Sequence, residues 1–354
     1  MKGQSPVDLA FLMGADHDSF VRWDSGQTLA TSVILGLVAD VIAGRPLVLE
    51  SSFVEAANAV LSSRHDGTDL SLIAYTLSLP TEGMLADAMP AGSVDPGAIH
   101  TARQFVLREL SASLHRELHA TYMELASGST PYEYTGEAIS KRRLANTALR
   151  YLCAGGTAEA AALAKAQLQA ADNMTDENAA FECLLDCSYV TDAERAAAIR
   201  TFERRWEHDA LVMDSWFSSQ AGSKYGALET VRKLMEHPQF KITNPNKVRA
   251  CVGRFAMSNL AQFHDPSGSG YAFLAEFINQ LDPINPQAAA RMTTAFRTWR
   301  RLEPGRRGKA RSSLETIRDQ PGVSPDTYEV AMKTLGDVLS EVVAEAEAAA
   351  VTEQ

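Results

Sequence analysis

The amino-acid sequence predicts an all-α protein in which antiparallel helix pairs stack into a superhelix. Three observations carry this prediction. Apolar residues recur at helical spacing along most of the chain. Signals for the starts of helices, in which a capping residue precedes a helix-forming run, recur throughout. Signals for β-strands are nearly absent, since the one candidate, Lys241-Ile242, is too short to count.

The N-terminal part of the chain predicts comparatively long helices. Residues 1–18 are interpreted as a lead-in. Asp18-Ser19 can cap a helix that continues to about Ala43, where Gly44-Arg45-Pro46 ends it. Further helices are expected over residues 51–63, 69–79, 81–89 and, as one long helix opened by Asp95-Pro96, 95–126.

From Thr135 onward the helices become shorter and are separated by brief turns. Thr175-Asp176-Glu177 and Thr191-Asp192-Ala193-Glu194 have the residue order of helix starts. The last helix is expected to begin near Ser324-Pro325, to continue through Glu345 and to fray over 346–354. We therefore expect a single large helical domain over 19–354, with longer helices over 19–126 and an α-solenoid, similar to ARM or HEAT arrays, over 135–354. The period is too irregular to assign a repeat family.

Composition excludes several classes of function. The 354-residue chain is 45% hydrophobic and carries a formal net charge of -11, which argues against a nucleic-acid partner. No apolar run approaches the ~20 residues that span a bilayer, because Asp40 interrupts the most apolar stretch, Thr31 to Ile42. The first residues lack the apolar segment of a secretory signal. Four cysteines in a chain of this length favour a reducing cytoplasm over a disulfide framework.

Two helix starts of the same design form the candidate site. Asn244-Pro245 and Asn285-Pro286 each place a capping Asn before a Pro, and each helix then carries an Arg in its first two turns, Arg249 and Arg291. Gln287 precedes Arg291 by four residues and shares its face. Such cations, beside free backbone amides, could attract carboxylates or carbonyl oxygens. The alternative is a pair of surface arginines paired with nearby acids.

Met292, Phe296 and Trp299 follow Arg291 at helical spacing on the opposite side. These three residues are expected to face the core.

Other patterns resemble catalytic motifs without completing them. His115 and His119 are four apart, as in H-E-x-x-H zinc sites, but Glu117 lies roughly 200° from His115 around a helix and no third ligand is evident. Surface or packing histidines are the preferred interpretation. No C-x-x-C pair and no G-x-S-x-G motif occurs, so structural thiols are expected and a serine hydrolase is not.

A basic run could form a nucleic-acid patch. Because the chain is acidic overall, a solvated helix face or a docking surface for an acidic domain is the preferred interpretation. The run comprises Arg297, Arg300, Arg301, Arg306, Arg307, Lys309 and Arg311.

Six runs in a fixed order resemble a known family. The chain resembles, over nearly its whole length, the C-terminal helical domain of bacterial aminopeptidase N, the monomeric zinc aminopeptidases that remove N-terminal residues from peptides. The runs are Phe20-Val21-Arg22-Trp23-Asp24-Ser25-Gly26-Gln27, Asn173-Met174-Thr175-Asp176, Leu211-Val212-Met213-Asp214-Ser215-Trp216-Phe217, Asn244-Pro245-Asn246-Lys247-Val248-Arg249, Asp265-Pro266-Ser267-Gly268-Ser269-Gly270-Tyr271, and Asn285-Pro286-Gln287 to Arg291.

The resemblance implies a supporting role in peptide hydrolysis. In that family the segment that corresponds to residues 1–18 is a lead-in from a preceding domain. The helical domain closes over the zinc domain and walls off an internal chamber. The positions of Arg249, Gln287 and Arg291 match residues that line the chamber, with Gln287 bordering the pocket for the N-terminal side chain. Peptide substrate and the catalytic zinc domain, joined in cis or supplied in trans, are the implied partners.

The chemistry of that family is missing from this sequence. Neither an H-E-x-x-H motif nor a G-x-M-E-N motif occurs, so no residue is assigned to catalysis or to metal. We therefore expect the chain to be inactive alone, with no cofactor of its own and with zinc in the catalytic domain. A free-standing helical-repeat scaffold that binds a protein or peptide remains the alternative.

Overall fold

The computed structural model describes residues 4–126 and 132–336. Within these residues every regular element is a helix, and a single isolated parallel bridge joins Val94 to Leu302. This confirms the all-α prediction. Backbone contacts divide the chain into two units. Unit 1 takes the described parts of 1–88 and 98–225, and unit 2 takes 89–97 and the described part of 226–354.

Unit 1 contains the longer helices and the first of the shorter ones. The first two residues of α6 fall in unit 2. The helices are α1 (Pro6–Ala15), α2 (Ser19–Ile42), α3 (Ser51–Ser62), α4 (Leu70–Leu77), α5 (Glu82–Ala88), α6 (Pro96–Ser113), α7 (His115–Ala126), α8 (Gly136–Gly155), α9 (Ala158–Ala170), α10 (Met174–Asp186), α11 (Asp192–Trp206) and α12 (Ala210–Gly222).

Unit 2 contains eight further α-helices among the described residues, several of them only one turn long. They are α13 (Leu228–Met235), α14 (Pro245–Val248), α15 (Arg254–Ser258), α16 (Leu260–Phe263), α17 (Ser269–Leu281), α18 (Pro286–Thr293), α19 (Pro304–Arg318) and α20 (Pro325–Leu335).

Most predicted helix starts are confirmed, because capping is a local interaction. Asp18 accepts hydrogen bonds from the amides of Phe20 and Val21 at the start of α2, and Thr191 forms a capping box with Glu194 at the start of α11. The prediction for α10 was wrong by two residues. Its cap is Asn173, which accepts from the amide of Asp176, and not Thr175.

Two stretches differ from the simple sequence prediction. The long helix expected over 95–126 is α6 and α7, interrupted at Leu114, although backbone bonds from Leu114 to Leu110 and from Leu118 to Leu114 continue the helical pattern. Part of the expected lead-in forms α1, whose capping residue is Ser5. The predicted domain boundary at residue 18 stays a prediction. The expected continuation of the last helix through Glu345 and the frayed end lie outside the described residues.

The core of unit 1 combines aliphatic side chains with buried aromatic ones such as Phe181, Phe202 and Phe217. Ile34 of α2 packs in an interior whose largest fully buried aliphatic side chains include Leu61, Ile73 and Leu85. By length and composition, α2 is long and apolar enough to cross a membrane, the one such helix among the described residues, so the expectation that no such run exists was too strong. That test is weak evidence for a membrane, because core helices of soluble proteins also pass it.

The core of unit 2 is aromatic. Phe263 contacts Phe255, Tyr271 and Phe296 with ring centroids 5.3–6.0 Å apart. The predicted core positions are confirmed, since Met292, Phe296 and Trp299 are 3%, 2% and 7% exposed. The α-helix ends at Thr293, and Phe296 and Trp299 lie in 3-10 turns that follow it.

Candidate functional site

The first of the two helix starts is formed as the sequence predicts. The side-chain oxygen of Asn244 accepts hydrogen bonds from the amides of Asn246 at 3.0 Å and Lys247 at 3.4 Å, and Pro245 occupies the first helical position. The chain then continues without a break through α14, a π-helical turn over 249–253, and α15. Arg249 is exposed, and its guanidinium donates to Asn246 Oδ1 at 3.0 Å.

The π turn changes which residues share a side of this helix. The amide of Arg254 donates to the carbonyl of Arg249, five residues earlier, so Arg254 lies one π turn beyond Arg249. In a continuous α-helix, residues five apart differ by about 140° around the axis. Short π segments are rare and occur frequently at functional sites. Arg254 was not predicted from the sequence, because α-helical periodicity puts residues 249 and 254 on different sides of the helix.

The second helix start is also confirmed. Asn285 Oδ1 accepts from the amide of Ala288 at 3.0 Å, with Pro286 in the first turn. Gln287 and Arg291 are both exposed, on the side of α18 away from buried Met292. Within the described residues, neither side chain makes a hydrogen bond or an ion pair. The alternative of arginines paired with nearby acids therefore does not describe Arg291.

The segment that follows the first helix start packs against α18 at Gly253. A side chain at Gly253 would lie 3.4 Å from the terminal carbon of Met292 and 3.7 Å from Cγ of Arg249. Both distances are ordinary van der Waals contacts, so the stem of Arg249 and the side chain of Met292 adjoin the same point. The structure places Arg249 and Arg291 on two packed segments, and their membership of one site stays a prediction.

The two segments form a locally positive region of an acidic protein. The chain has 44 Asp and Glu residues, yet neither occurs anywhere in residues 237–264 or 283–302. The same two segments contain eight Lys and Arg residues. Glu236, Asp265, Asp282 and Glu303 border the two segments, so the excess of positive charge is confined to the segments themselves.

The interior beside this region contains a buried histidine. His264 is 6% exposed, and its carbonyl accepts a hydrogen bond from Arg306 Nε at 2.5 Å. Burial, assisted by the positive charge of Arg306, lowers the pKa of His264 to about 3. Arg306 also pairs with Asp95 at 3.1 Å. The neutral imidazole and the paired arginine stabilise the fold and leave no group free for chemistry.

Much of the basic run has a structural role. Arg301 donates to the carbonyl of Met89 at 2.7 Å, and Arg300 donates to the carbonyl of Thr334 at 3.1 Å. Arg311 pairs with Glu315 at 2.9 Å. The interpretation of the run as a solvated face or docking surface was wrong for Arg300, Arg301 and Arg306, because their guanidinium groups bind carbonyls and carboxylates of unit 2.

The two histidines of α7 face an acid on another helix. Nε2 of His115 and Nε2 of His119 each lie 3.3 Å from a different carboxylate oxygen of Glu159 on α9. Glu117 instead pairs with Arg116 at 2.7 Å. The side chains of His115 and His119 are 40% and 34% exposed, consistent with the preferred interpretation of surface histidines.

Three of the four cysteines meet in the interior of unit 1. The thiol of Cys153 on α8 donates to the carbonyl of Ala160 at 3.6 Å, and the neighbouring Cys183 and Cys187, at the end of α10, raise the pKa of Cys153. That donor, with the amides of Tyr189 and Val190, lowers the pKa of Cys187 to about 6 despite burial. All four cysteines are buried and free.

Neither these thiols nor any other group of His, Cys, Asp and Glu in the described residues is arranged to hold a metal ion. The described part of the chain therefore does not fit the zinc site of a peptidase.

A cavity of about 540 Å³ lies in unit 1 between α7, α8 and α9. Some of its polar groups bind one another: Lys141 pairs with Glu137 at 2.6 Å, and Gln167 Nε2 donates to Asn146 Oδ1 at 2.8 Å. Its lining also includes the charged residues Glu133, Arg142 and Asp172. The exposed guanidinium groups of unit 2 remain the best candidate site.

Comparison with known proteins identifies the relatives of this chain. Residues 6–336 match the family model described as "Domain of unknown function (DUF3458_C) ARM repeats". The chain is 36% identical to aminopeptidase N of Escherichia coli K12 over 94% of its length, and 36% identical to that of Caulobacter vibrioides over 94%. It spans only 37% of each of these relatives, of which it matches the C-terminal part.

A solved structure supports the same assignment. Legionella pneumophila aminopeptidase A, crystallised in complex with aspartic acid, superposes with a TM-score of 0.83 at 26% identity. The match covers 95% of this chain and 39% of that one. The chain therefore belongs to the DUF3458_C family of ARM-repeat domains and corresponds to the C-terminal helical part of aminopeptidase N.

Proposed function

We propose that this chain is the non-catalytic part of an aminopeptidase-N-type zinc peptidase and that it closes the chamber in which peptides lose their N-terminal residues. The observation that carries the proposal is the match to just over a third of aminopeptidase N, in a chain whose described residues include no metal-binding group. The catalytic zinc domain would come from the remaining two thirds, in cis or in trans. The four free thiols favour a reducing, cytoplasmic location for the assembly.

Arg249, Gln287 and Arg291 would contact the peptide. Their exposure and the lack of acids in their two segments support this role. Gln287 can donate to and accept from a substrate side chain or backbone. Arg249 and Arg291 can donate charge-assisted hydrogen bonds to carbonyl or carboxylate oxygens, worth about 1.5–3 kcal/mol each.

An apolar surface on unit 1 fits the contact with the rest of such an enzyme. Val7 and Phe11, one helical turn apart on α1, are 72% and 69% exposed, and Phe20 at the start of α2 is 66% exposed. Large apolar side chains clustered on a surface are typical of a protein contact. In the relatives, the part that this chain does not match comes first, and the helix that corresponds to α1 is the first one after it.

The kinetic test uses the complete enzyme that contains this chain, assayed on peptides of two to six residues. Arg291→Ala should lower kcat/KM about tenfold, since one lost charge-assisted bond of ~1.4 kcal/mol corresponds to that factor. Arg311→Ala, which removes an exposed arginine paired with Glu315, is the matched control and should leave kcat/KM unchanged. Equal kinetics for wild type and Arg291→Ala at every length would remove Arg291 from the site.

The alternative is a free-standing scaffold that binds a protein or peptide in its concave face. The behaviour of the exposed apolar surface of α1 and α2 in the isolated chain distinguishes the two hypotheses. A domain that docks on a catalytic partner should self-associate when isolated and should lose that tendency in a Phe11→Ser, Phe20→Ser double variant. A scaffold should be monodisperse in sedimentation with or without these changes.

A further inference from the structure

We propose that the acidic segment of residues 337–354 binds, within the same chain, to a basic surface of unit 2 beside the end of α20. This surface contains the exposed arginines Arg297 and Arg300. The inference does not depend on the proposed function, because it rests on the charges and contacts of unit 2 and on the sequence of the segment. The segment would cover positive charges that the described part of unit 2 leaves exposed.

Trp299 and Arg300 bind the end of α20. Trp299 Nε1 donates to the carbonyl of Thr334 at 2.9 Å, and Arg300 donates to the carbonyls of Thr334 and Leu335. The guanidinium of Arg300 also lies over the Trp299 ring, 4.8 Å from its centroid. A side chain at Gly336, the residue that precedes the segment, would overlap this guanidinium. The chain therefore reaches the start of the segment directly beside Arg300.

Arg297 precedes Arg300 by three residues in a stretch that packs along α20. The 3-10 turn over 294–296 contacts α20, as Trp299 and Arg300 do. Phe296 and Trp299 are buried, whereas Arg297 and Arg300, each one residue further along, are exposed. In 3-10 geometry, side chains three residues apart lie on the same side. The two arginines thus share the solvent side of this stretch.

No carboxylate of the described residues neutralises this surface. Arg300 is bonded to carbonyls, and Arg297 makes no hydrogen bond or ion pair within the described residues. The segment 283–302 contains no Asp or Glu. The acids that border it are engaged elsewhere, Asp282 at the start of α20 and Glu303 at the start of α19. An exposed surface with uncompensated positive charge attracts anionic groups.

Residues 337–354 have the complementary charge. They lie outside the described residues and follow residues 6–336, which match the family. The segment contains five acids and no Lys, Arg or His. The acids are Asp337, Glu341, Glu345, Glu347 and Glu353. The segment is thus a polyanion attached to the chain beside an exposed cationic surface.

Covalent attachment favours this segment over a separate acidic partner. Glu341 follows Gly336 by five residues, which the chain can span by at most ~17 Å. Arg297, three residues before Arg300, lies within that reach. Single ion pairs on a surface are weak. Several pairs on a tethered segment act together, because a short tether holds the acids at an effective concentration in the millimolar range.

The test is zero-length cross-linking of the full chain with a carbodiimide, which joins a lysine amine to a carboxylate only when the two are in contact. Arg297→Lys keeps the positive charge and supplies the amine. Its lysine should link to an acid of residues 337–354, identified by mass spectrometry, and the link should fall at least about tenfold in ~1 M NaCl, which screens the charges. Arg311→Lys is the matched control, since its lysine should link to Glu315 and not to the segment. Mixing isotope-labelled and unlabelled chains shows whether a link joins one chain or two.

A second measurement detects whether the segment occupies the surface. Hexaglutamate, titrated calorimetrically into the full chain, should bind the Glu341→Gln, Glu345→Gln, Glu347→Gln variant at least about tenfold more tightly than wild type, because the segment then no longer competes. An equal neutralisation of three exposed glutamates of unit 1 controls for net charge and should leave binding as in wild type. These three are Glu50, Glu55 and Glu133. The thermal midpoint of each variant confirms that it is folded.

Each of three results would contradict the inference. If the lysine of Arg297→Lys links to the segment no more than that of Arg311→Lys does, the surface does not bind the segment. If the links join two chains, the occupant is the segment of a second copy and not that of the same chain. If hexaglutamate binds wild type and the Gln variant of the segment equally, the segment does not cover the surface.

Discussion

The Nδ1 atom of His264 lies 2.8 Å from the hydroxyl oxygen of Tyr271 in the interior of unit 2. Burial, together with the charge of Arg306, lowers the pKa of His264 to about 3, compared with 6.5 for an ordinary histidine. The ring is therefore neutral in the folded protein over most of the acid range. In the unfolded chain it binds a proton below pH about 6.5.

This difference predicts a pH-dependent stability. Between pH 6.5 and about 3 the unfolded state binds more protons at His264 than the folded state does, so the free energy of unfolding rises with pH there. The contribution is complete above pH 6.5 and decreases as the pH falls. His264→Asn should reduce the loss of stability between pH 7 and pH 5 by up to about 2 kcal/mol, measured by urea unfolding. His65→Asn, at an exposed position, should lose as much unfolding free energy between pH 7 and pH 5 as wild type does. If His264→Asn also loses as much as wild type, His264 does not cause the pH dependence.

Gly270 is predicted to resist substitution because of a backbone contact. A β-carbon at this position would lie 2.2 Å from the carbonyl oxygen of Phe263, which cannot move without displacing the chain. Gly270→Ala should destabilise the protein by about 1–3 kcal/mol or more. Gly308→Ala is the matched control, since nothing lies within 4 Å of its β-carbon on α19, and it should stabilise by up to ~1 kcal/mol. Denaturant midpoints measure both changes, and equal midpoints would contradict the contact.

Asp282 joins the end of α17 to the start of α20. Its buried carboxylate accepts from the amide of Ser324 at 2.7 Å, from the Ser324 hydroxyl at 2.6 Å and from the Thr327 hydroxyl at 2.5 Å. Asp282→Ala removes the acceptor of the half-buried amide and hydroxyl of Ser324, leaves the buried Thr327 hydroxyl only its longer bond to the carbonyl of Pro286, and should cost about 3 kcal/mol of unfolding free energy. Asp326→Ala, at an exposed position in the same first turn of α20, should change stability by about 0.5 kcal/mol or less. A comparable loss in both variants would indicate a general charge effect at this helix start.

Cys187 is predicted to be ionised at neutral pH. The Cys153 thiol and two backbone amides donate to its sulfur and lower its pKa to about 6. Titration of thiolate ultraviolet absorbance in the folded chain should show a transition near pH 6 that is absent from Cys187→Ala. Cys251→Ala should keep that transition, because burial raises the pKa of Cys251 to about 12. A first transition at pH 8 or above in wild type would contradict the thiol network.

The local part of the fold could be predicted from the sequence. Caps such as Asn244, Asn285 and Thr191 bond to amides two or three residues away, so the residue order alone specifies them. The periodicity of apolar residues likewise placed Met292, Phe296 and Trp299 in the core. The family resemblance, carried by six short runs, agrees with the relatives that the comparisons found.

Features that depend on distant residues could not be predicted in this way. Cys153 and Cys183 are brought together by the packing of α8 and α10, and Asp282 meets Ser324 across 42 residues of chain. No local pattern specifies such pairs.

The sequence alone determined that this protein is helical, where most of its helices begin, and which family it resembles. Only the tertiary structure decided that Arg254 shares a side with Arg249, because the π turn widens the helix where Gly253 packs against Met292. Helical periodicity and capping depend on residues that are close together in the sequence. The contact between the π turn and Met292 joins residues that are far apart in the sequence. Arg249, Gln287 and Arg291 were named from the sequence, and their role in a common site stays a prediction.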